Sequence, residues 1–238
     1  MFDFTDKVIV VTGAAGGLGS AVVQKFFTAN GVVCALDHRK GRVPALIDTS
    51  EGHGKLFTFD EVDLTDRAAT VSLVEKVHSE VGLVDVIVNT VGGFTSGERV
   101  HELSPNTFQK MMDLNVQSFL NITTAFVPDL LQKSRGKVIS VGSRASLKGG
   151  AKSGAYAAAK GALLRLTESM AEELKTDNVQ VNCVLPGTID TADNREAIPN
   201  ADFSKWVAPG KIADVILFLS SPASDVTTGA AIPVYGRS

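Results

Sequence analysis

The chain has 238 residues and a formal net charge of −3, with 44% hydrophobic and 21% charged residues. This composition is typical of a folded globular chain, and we predict a single domain over 1–238. The slightly acidic balance gives no basic stripe for nucleic acid, and no apolar run is long enough to cross a bilayer, so we expect neither partner. The four histidines lack metal-ligand spacing. We therefore expect no metal site. Because the N-terminus does not resemble a signal peptide, we also expect a cytoplasmic protein.

Two patterns alternate along the chain: short runs rich in β-branched residues, and longer segments with apolar residues at helical spacing. Strands are predicted at 8–11, 32–36, 56–59, 84–89, 137–141, 179–185 and 230–234. Helices are predicted at 18–26, 69–77, 107–126 and 153–175, and after Pro209. This alternation predicts an α/β fold, a doubly wound, mostly parallel Rossmann-type sheet of about seven strands with helices on both faces.

The first predicted strand runs into a glycine-rich turn at 12–19, TGAAGGLG. Because glycine has no side chain, this backbone can turn tightly and approach a pyrophosphate closely. The helix that follows offers N–H groups and the positive end of its dipole. A glycine cluster between a strand and a helix therefore predicts dinucleotide binding at Gly13, Gly17, Leu18 and Gly19.

The second predicted strand ends at Asp37, 18 positions after Gly19. A carboxylate near this spacing accepts hydrogen bonds from the adenine ribose and repels a 2′-phosphate, so Asp37 favours NAD over NADP. His38, Arg39 and Lys40 follow directly and are compatible with a phosphate. We predict NADH as the cofactor, with NADP as the less favoured alternative.

Tyr156 and Lys160 stand four residues apart in an alanine-rich helical segment, so they lie on one face of the helix. A tyrosine hydroxyl titrates near ~10 and is a poor acid–base group at neutral pH. A neighbouring ammonium favours the phenolate, so we expect Lys160 to lower the pKa of Tyr156. The spacing alone is also compatible with a surface lysine and a half-buried tyrosine.

Six features, in order along the chain, resemble those of the short-chain dehydrogenase/reductase family and span essentially the whole length. They are Thr12-Gly13-x-x-x-Gly17-x-Gly19, the turn Asn89-Thr90-Val91-Gly92, Asn115, Ser143, the pair Tyr156 and Lys160, and Pro186-Gly187-Thr188-Ile189-Asp190-Thr191. The turn differs at two positions from the family's Asn-Asn-Ala-Gly. The resemblance implies an NAD-dependent oxidoreductase that moves a hydride between nicotinamide and a small carbonyl or alcohol substrate.

The resemblance also implies a role for each matched residue. Tyr156 would exchange a proton with the substrate oxygen, Ser143 would hold that oxygen, and Lys160 would bind the nicotinamide ribose. Asn115 would hold a water that relays protons from Lys160. The other implied cofactor contacts are Asp63 and Leu64 near the adenine, Asn89 and Gly92, and Pro186, Gly187, Thr188, Ile189 and Thr191 near the nicotinamide. Considered alone, Ser143 and Asp63 also suit turn or capping positions.

The stretch 192–208 corresponds to the family's substrate lid, and its short, polar character predicts an open pocket or a small substrate. The segment from Leu185 to Trp206 also resembles dihydropteridine reductases, which reduce a quinonoid pterin with NADH. Pterin reduction is therefore an alternative function. A non-catalytic dinucleotide-binding redox sensor is another, although such proteins usually lack the tyrosine or the lysine.

The helix after Ser153 has a face of small residues at 155, 158, 159 and 162. Small side chains allow a close approach between helices, and in the family this helix helps to form a dimer interface. The closing segment 228–236 resembles the strand that often completes a tetramer. We therefore expect a homo-oligomer, either a dimer or a tetramer.

Overall fold

A seven-stranded parallel sheet forms the centre of the computed structural model, which describes residues 2–50 and 52–237. The strands are β1 (Val8–Thr12), β2 (Val32–Leu36), β3 (Lys55–Phe59), β4 (Val86–Asn89), β5 (Gly136–Val141), β6 (Val179–Pro186) and β7 (Ala231–Val234). Their order is β3-β2-β1-β4-β5-β6-β7, and all neighbours are parallel. The predicted doubly wound sheet is confirmed. Its central strands β1, β4 and β5 are buried throughout and mostly apolar, because helices cover both faces.

Helices cover the two faces of the sheet in separate groups. The helices are α1 (Gly17–Thr28), α2 (Arg67–Glu80), α3 (Pro105–Met112), α4 (Ser118–Gln132), α5 (Gly154–Leu174), α6 (Ala192–Ala197) and α7 (Pro209–Ser220). One apolar core joins α1 and α7 to the sheet, and a second joins α2, α4 and α5 to it. None of the helices in the described part of the chain is long and apolar enough to cross a membrane.

The register of the strands brings their carboxyl ends to one edge. Thr12 of β1 is aligned with Leu36 of β2 and with Asn89 of β4, and Asn89 is aligned with Ser140 of β5. The order of strands reverses between β1 and β4, and in open α/β sheets this switch point is where ligands bind. The segments that follow these strands therefore share one crevice.

Two helical segments differ from the sequence prediction. The single helix predicted at 107–126 is wrong, because a π-helical turn, Asp113–Gln117, separates α3 from α4, which continues to Gln132. The periodicity of apolar residues cannot reveal one wide turn inside a long helical segment. The short helix α6 was not predicted, since its six residues carry almost no apolar pattern.

Truncation of the buried phenylalanine of α4 tests the second core. Phe126 is fully buried there. Phe126→Ala is expected to lower the free energy of unfolding by about 3–5 kcal/mol, because the ring is removed and a cavity is left. Urea denaturation measures the loss. The matched control is Phe218→Ala on α7, whose ring is 39% exposed, and equal losses in the two variants would contradict the packing described.

Candidate active site

The turn after β1 brings backbone segments into direct contact. Gly13 has a φ of +60°, and a Cβ on Gly19 would lie 2.1 Å from the carbonyl oxygen of Gly13. A Cβ on Gly17 would lie 2.6 Å from Cγ2 of Thr191. The helix α1 begins at Gly17, and no side chain in the described part of the chain caps its N-terminus at Gly16. The glycines therefore leave a backbone cradle at a helix N-terminus, which has the shape and charge that a pyrophosphate needs. Leu18 turns its side chain into the core.

Asp37 lies at the end of β2 with its carboxylate buried beside this turn. One carboxylate oxygen accepts the Ala15 N–H at 2.8 Å, and the other accepts the backbone N–H and the Nε of Arg39, each at 3.0 Å. Burial raises the pKa of Asp37, but hydrogen bonds from Arg39 and Ala15 outweigh it and hold the pKa below its usual value. The carboxylate is thus ionised and fixed against the glycine turn.

Asp63 and Leu64 follow β3 at the same edge. Asp63 is exposed, and its carboxylate accepts the hydroxyl of Thr65 at 2.7 Å and the backbone N–H of Thr65 at 2.8 Å. These hydrogen bonds lower the pKa of Asp63. The cap of α2 is Asp66, so Asp63 does not fill that capping position. Leu64 is buried, and its carbonyl accepts the amide of Asn121 at 2.8 Å.

The end of β4 carries a buried amide with one hydrogen-bonding group left over. The Oδ1 of Asn89 accepts the hydroxyl of Thr12 at 2.9 Å, whereas its Nδ2 is buried with no partner among the described residues. Three residues later, a Cβ on Gly92 would lie 2.8 Å from Oδ1 of Asn115 and 3.0 Å from Nζ of Lys160. Gly92 therefore leaves room for two polar side chains to approach one point.

Asn115 lies in the π-helical turn between α3 and α4 and is fully buried. Its Nδ2 donates to the Met111 carbonyl at 2.9 Å and to the Gly93 carbonyl at 3.1 Å. Its Oδ1 accepts the Gly93 N–H at 3.2 Å. Turns of this kind often occur at functional sites. Here the turn directs Asn115 to the segment that follows β4.

Ser143, Tyr156 and Lys160 lie together at the end of β5. The hydroxyls of Ser143 and Tyr156 are hydrogen-bonded. Ser143 also caps the short turn that follows it, accepting the Ala145 N–H at 3.2 Å. From the next turn of α5, Lys160 donates through Nζ to the Val141 carbonyl at 2.8 Å. The predicted helix at 153–175 thus places both members of the Tyr–Lys pair against β5.

Burial dominates the electrostatics of this pair. Desolvation raises the pKa of Tyr156, opposed by its hydrogen bond with Ser143. Desolvation also lowers the pKa of Lys160 to about 8. The expected lowering of the Tyr156 pKa by Lys160 is not found in this structure. Burial of the phenol raises the pKa, Ser143 alone opposes it, and the ammonium is directed to a backbone carbonyl.

The family model for short chain dehydrogenases matches residues 7–202. The chain is a short-chain dehydrogenase/reductase. Members of this family are NAD(P)-dependent oxidoreductases that act on small molecules. The predicted family and the predicted class of enzyme are therefore confirmed.

Relatives of this dehydrogenase/reductase match along nearly the whole chain. It is 30% identical to the 3-oxoacyl-acyl-carrier-protein reductase FabG of Thermotoga maritima, over 97% of this chain and 96% of that protein. It is 31% identical to a 3α-hydroxysteroid dehydrogenase of Mediterraneibacter gnavus, with the same coverage. The crystal structure of carveol dehydrogenase from Mycobacterium avium in complex with NAD has a TM-score of 0.90 and 25% identity, over 99% of this chain and 98% of that one.

The segment after β6 of this dehydrogenase/reductase carries the residues expected near the nicotinamide, and it contacts the glycine turn. Pro186 ends β6, and the Gly187 N–H donates to the Val234 carbonyl at 3.1 Å. Thr188 and Ile189 are tied to Val207 through a backbone hydrogen bond and a β-bridge. A separate contact is made by Thr191, which caps α6 and lies against Gly17, as described above. All these candidates therefore lie at the carboxyl edge of the sheet.

Phe94 was missed by the sequence analysis. Its ring packs edge-on against the ring of Tyr156, with centroids 4.9 Å apart and an interplanar angle of 83°. The side chain is nevertheless 68% exposed. The only signal in the sequence is an aromatic residue directly after Gly92 and Gly93, and such a signal does not distinguish a site residue from an exposed loop residue.

Replacing Lys160 by methionine is expected to stabilise the cofactor-free protein at neutral pH. Burial lowers the pKa of Lys160 from 10.5 to about 8, so the folded state releases its proton before the unfolded chain does. Between these two values the unfolded chain binds more protons, and the stability of the wild type rises with pH. The increase in the free energy of unfolding that Lys160→Met gives over the wild type should therefore be greatest below pH 8 and disappear above pH 10.5.

Urea denaturation at a series of pH values measures this difference. The matched control is Lys76→Met, because Lys76 is an exposed lysine on α2 with no buried charge to relieve. A Lys160→Met difference that stays constant across the pH range would contradict the prediction.

Proposed function

We propose that the protein transfers a hydride between NAD(H) and a small carbonyl or alcohol substrate, with Tyr156 as the acid–base group. The observation that carries the proposal is the cluster at the end of β5. A tyrosine hydroxyl is hydrogen-bonded to Ser143, one helical turn from a buried lysine, at the edge where the glycine cradle lies. A redox sensor needs no such cluster, whereas proton exchange at a substrate oxygen does.

The residues at this edge suit a dinucleotide. The cradle of Gly13, Gly17 and Gly19 would hold its pyrophosphate against the N-terminus of α1. The unpartnered amide of Asn89 offers a further donor beside the cradle. The remaining proposed contacts are Leu18, Asp37, Asp63, Leu64, Gly92, Tyr156, Lys160, Pro186, Gly187, Thr188, Ile189 and Thr191. When bound, the nicotinamide group supplies or accepts the hydride.

We propose NAD rather than NADP as the cofactor. The carboxylate of Asp37 is ionised, and the turn beside it carries Ala14 and Ala15 where a basic side chain would be needed to balance a phosphate. A bound 2′-phosphate would be repelled at this point. Arg39 is the nearest basic group, and its guanidinium is engaged with Asp37 itself.

The proton path uses four side chains. In reduction, the Tyr156 hydroxyl donates its proton to the substrate oxygen while the Ser143 hydroxyl hydrogen-bonds to that oxygen and stabilises its developing negative charge. Lys160 and Asn115 approach one point beside Gly92, so a water there would be within reach of both. Such a water would carry the replacement proton from solvent. In oxidation the same proton moves in the opposite direction.

The proposal includes the organisation of the chain. The chain would act as one domain over 1–238, with 192–208 as the lid over the site and a dimer or tetramer as the assembly. The contact between Thr191 and Gly17 supports the placement of the lid, because it ties the residue just before this segment to the cofactor cradle. Light scattering at micromolar protein concentration tests the assembly.

Titration calorimetry with NADH and NADPH tests the choice of cofactor. NADH is expected to bind at least about tenfold more tightly, which corresponds to about 1.4 kcal/mol. Asp37→Ser should weaken NADH binding and reduce the preference, because the ribose loses its acceptor and Arg39 is released to meet a phosphate. Asp48→Asn, at an exposed carboxylate, is the control. Tighter binding of NADPH by the wild type would contradict the assignment.

Replacing Tyr156 by phenylalanine tests the acid–base assignment. Tyr156→Phe should lower kcat by about 10²–10⁴ and weaken NADH binding far less, because the ring and the other cofactor contacts remain. Because burial raises the pKa of Tyr156, the hydroxyl stays protonated at neutral pH. Reduction should therefore slow only in the alkaline range, and oxidation, which needs the phenolate, should accelerate with rising pH.

The chain has two tyrosines, and the other one gives a matched control. Tyr235→Phe should retain both the rate and the pH profile of the wild type. If Tyr156→Phe keeps the wild-type rate, the assignment is wrong.

A further inference from the structure

Phe94 has the most exposed ring of the phenylalanines in the described part of the chain, at 68%. An exposed aromatic ring forgoes the free energy that its burial would contribute, so its position needs another explanation. The Phe94 ring already makes one contact, because it packs against the Tyr156 ring in a T-shaped arrangement. Most of the Phe94 side chain is exposed, next to the ring whose hydroxyl a substrate must reach.

The backbone around Phe94 is held firmly. Gly93, directly before it, has both its N–H and its carbonyl hydrogen-bonded to the Asn115 side chain. On the other side, the Gly97 N–H donates to the Lys152 carbonyl at 2.8 Å, which ties this segment to the start of α5. The ring is therefore a fixed surface beside Tyr156, positioned by the same asparagine that approaches Lys160.

We propose that Phe94 determines substrate specificity by stacking against a flat, ring-shaped substrate whose carbonyl oxygen meets Tyr156 and Ser143. This inference rests on the proposed function. The ring centroid of Phe94 lies 4.9 Å from that of Tyr156, so a ring attached close to a carbonyl that meets the Tyr156 hydroxyl would lie beside Phe94. Aromatic rings attract one another at centroid separations of about 4.5–7 Å. The substrate class is a cyclic ketone that carries an aromatic or conjugated ring.

Linear acyl chains and saturated rings fit this surface less well. They can cover apolar area of Phe94, but they have no quadrupole to match its face or edge. Stacked aromatic pairs contribute enough beyond area burial to change an equilibrium by about threefold to tenfold. A preference of that size for the flat ring is the expected contribution of Phe94.

Two fused bicyclic ketones of the same carbon skeleton provide the test. β-Tetralone has an aromatic ring beside the ring that holds its carbonyl, and β-decalone is fully saturated. Neither carbonyl is conjugated, so their intrinsic reactivities are similar. The steady-state reduction of both by NADH gives the ratio of kcat/KM, and calorimetry of both with the protein–NAD⁺ complex, which cannot reduce them, gives a ratio of affinities.

The wild type should favour β-tetralone about threefold to tenfold in both ratios. Phe94→Leu keeps an apolar side chain and should bring both ratios close to one, mainly through KM. Phe94→Tyr keeps the ring and should keep the preference. The matched control is Phe218→Leu on α7, on the opposite face of the sheet, which should change neither ratio. Melting temperatures establish that each variant is folded.

Each outcome bears on one proposal or on the other. If Phe94→Leu retains the wild-type preference, or if the wild type prefers neither ketone, the role of Phe94 is overturned even where both ketones are reduced. If both ketones bind with the expected preference but no carbonyl is reduced, the role of Phe94 stands and the proposed function fails. The inference is supported if Phe94→Leu loses the preference while Phe94→Tyr and Phe218→Leu keep it.

Discussion

The Lys160 side chain reaches from α5 to the end of β5, where its ammonium donates to the Val141 carbonyl. No carboxylate within ion-pair distance balances this charge among the residues that the structure describes, so its burial opposes the charged form and lowers the pKa to about 8. The rest of the site is arranged around this group. Gly92 leaves the space beside it, Asn115 approaches the same space, and Tyr156 precedes it by one helical turn. The site therefore carries a destabilising charge that a merely structural helix would not retain.

The sheet supplies the geometry that such a site requires. Its strands end in register, and the chain leaves each of them at the same edge, so residues far apart in sequence become neighbours. Asp37 after β2, Asn89 at the end of β4 and Ser143 after β5 are brought together in this way. None of them needs a long connection to reach the crevice. The interior of the sheet can therefore remain mostly apolar while the polar groups of the site gather at its rim.

Most of the architecture could be predicted because its signals are local. The seven strands are short, mostly apolar runs, and the glycine turn stands between one of them and a helix. The environment of the side chains could not be predicted in the same way. The spacing of Tyr156 and Lys160 suggested an ammonium that lowers the phenol pKa, but the direction depends on how deeply each group is buried and on what accepts the ammonium N–H. Both depend on tertiary structure.

The π-helical turn and the role of Phe94 could not be predicted from the sequence for a related reason. A turn one residue wider leaves apolar spacing on either side nearly intact, so the segment 107–126 read as one helix. Phe94 follows two glycines in a segment without regular structure, and only its packing against Tyr156 distinguishes it. Gly92 and Gly93 indicate a constrained backbone, whereas the residue that packs against Tyr156 is the one that follows them.

The π-helical turn also has an evolutionary consequence. A turn of this kind contains one residue more than the α-helix it interrupts, so it is the expected trace of a single-codon insertion. Deleting one residue from Asp113–Gln117 would restore a regular helix that keeps α3 and α4 in place but removes the wide turn that directs Asn115 to the segment after β4. Asn115 could then no longer hold Gly93. A length change within these five residues would therefore disconnect Asn115 from Gly93 in one step, even where the helices on either side persist.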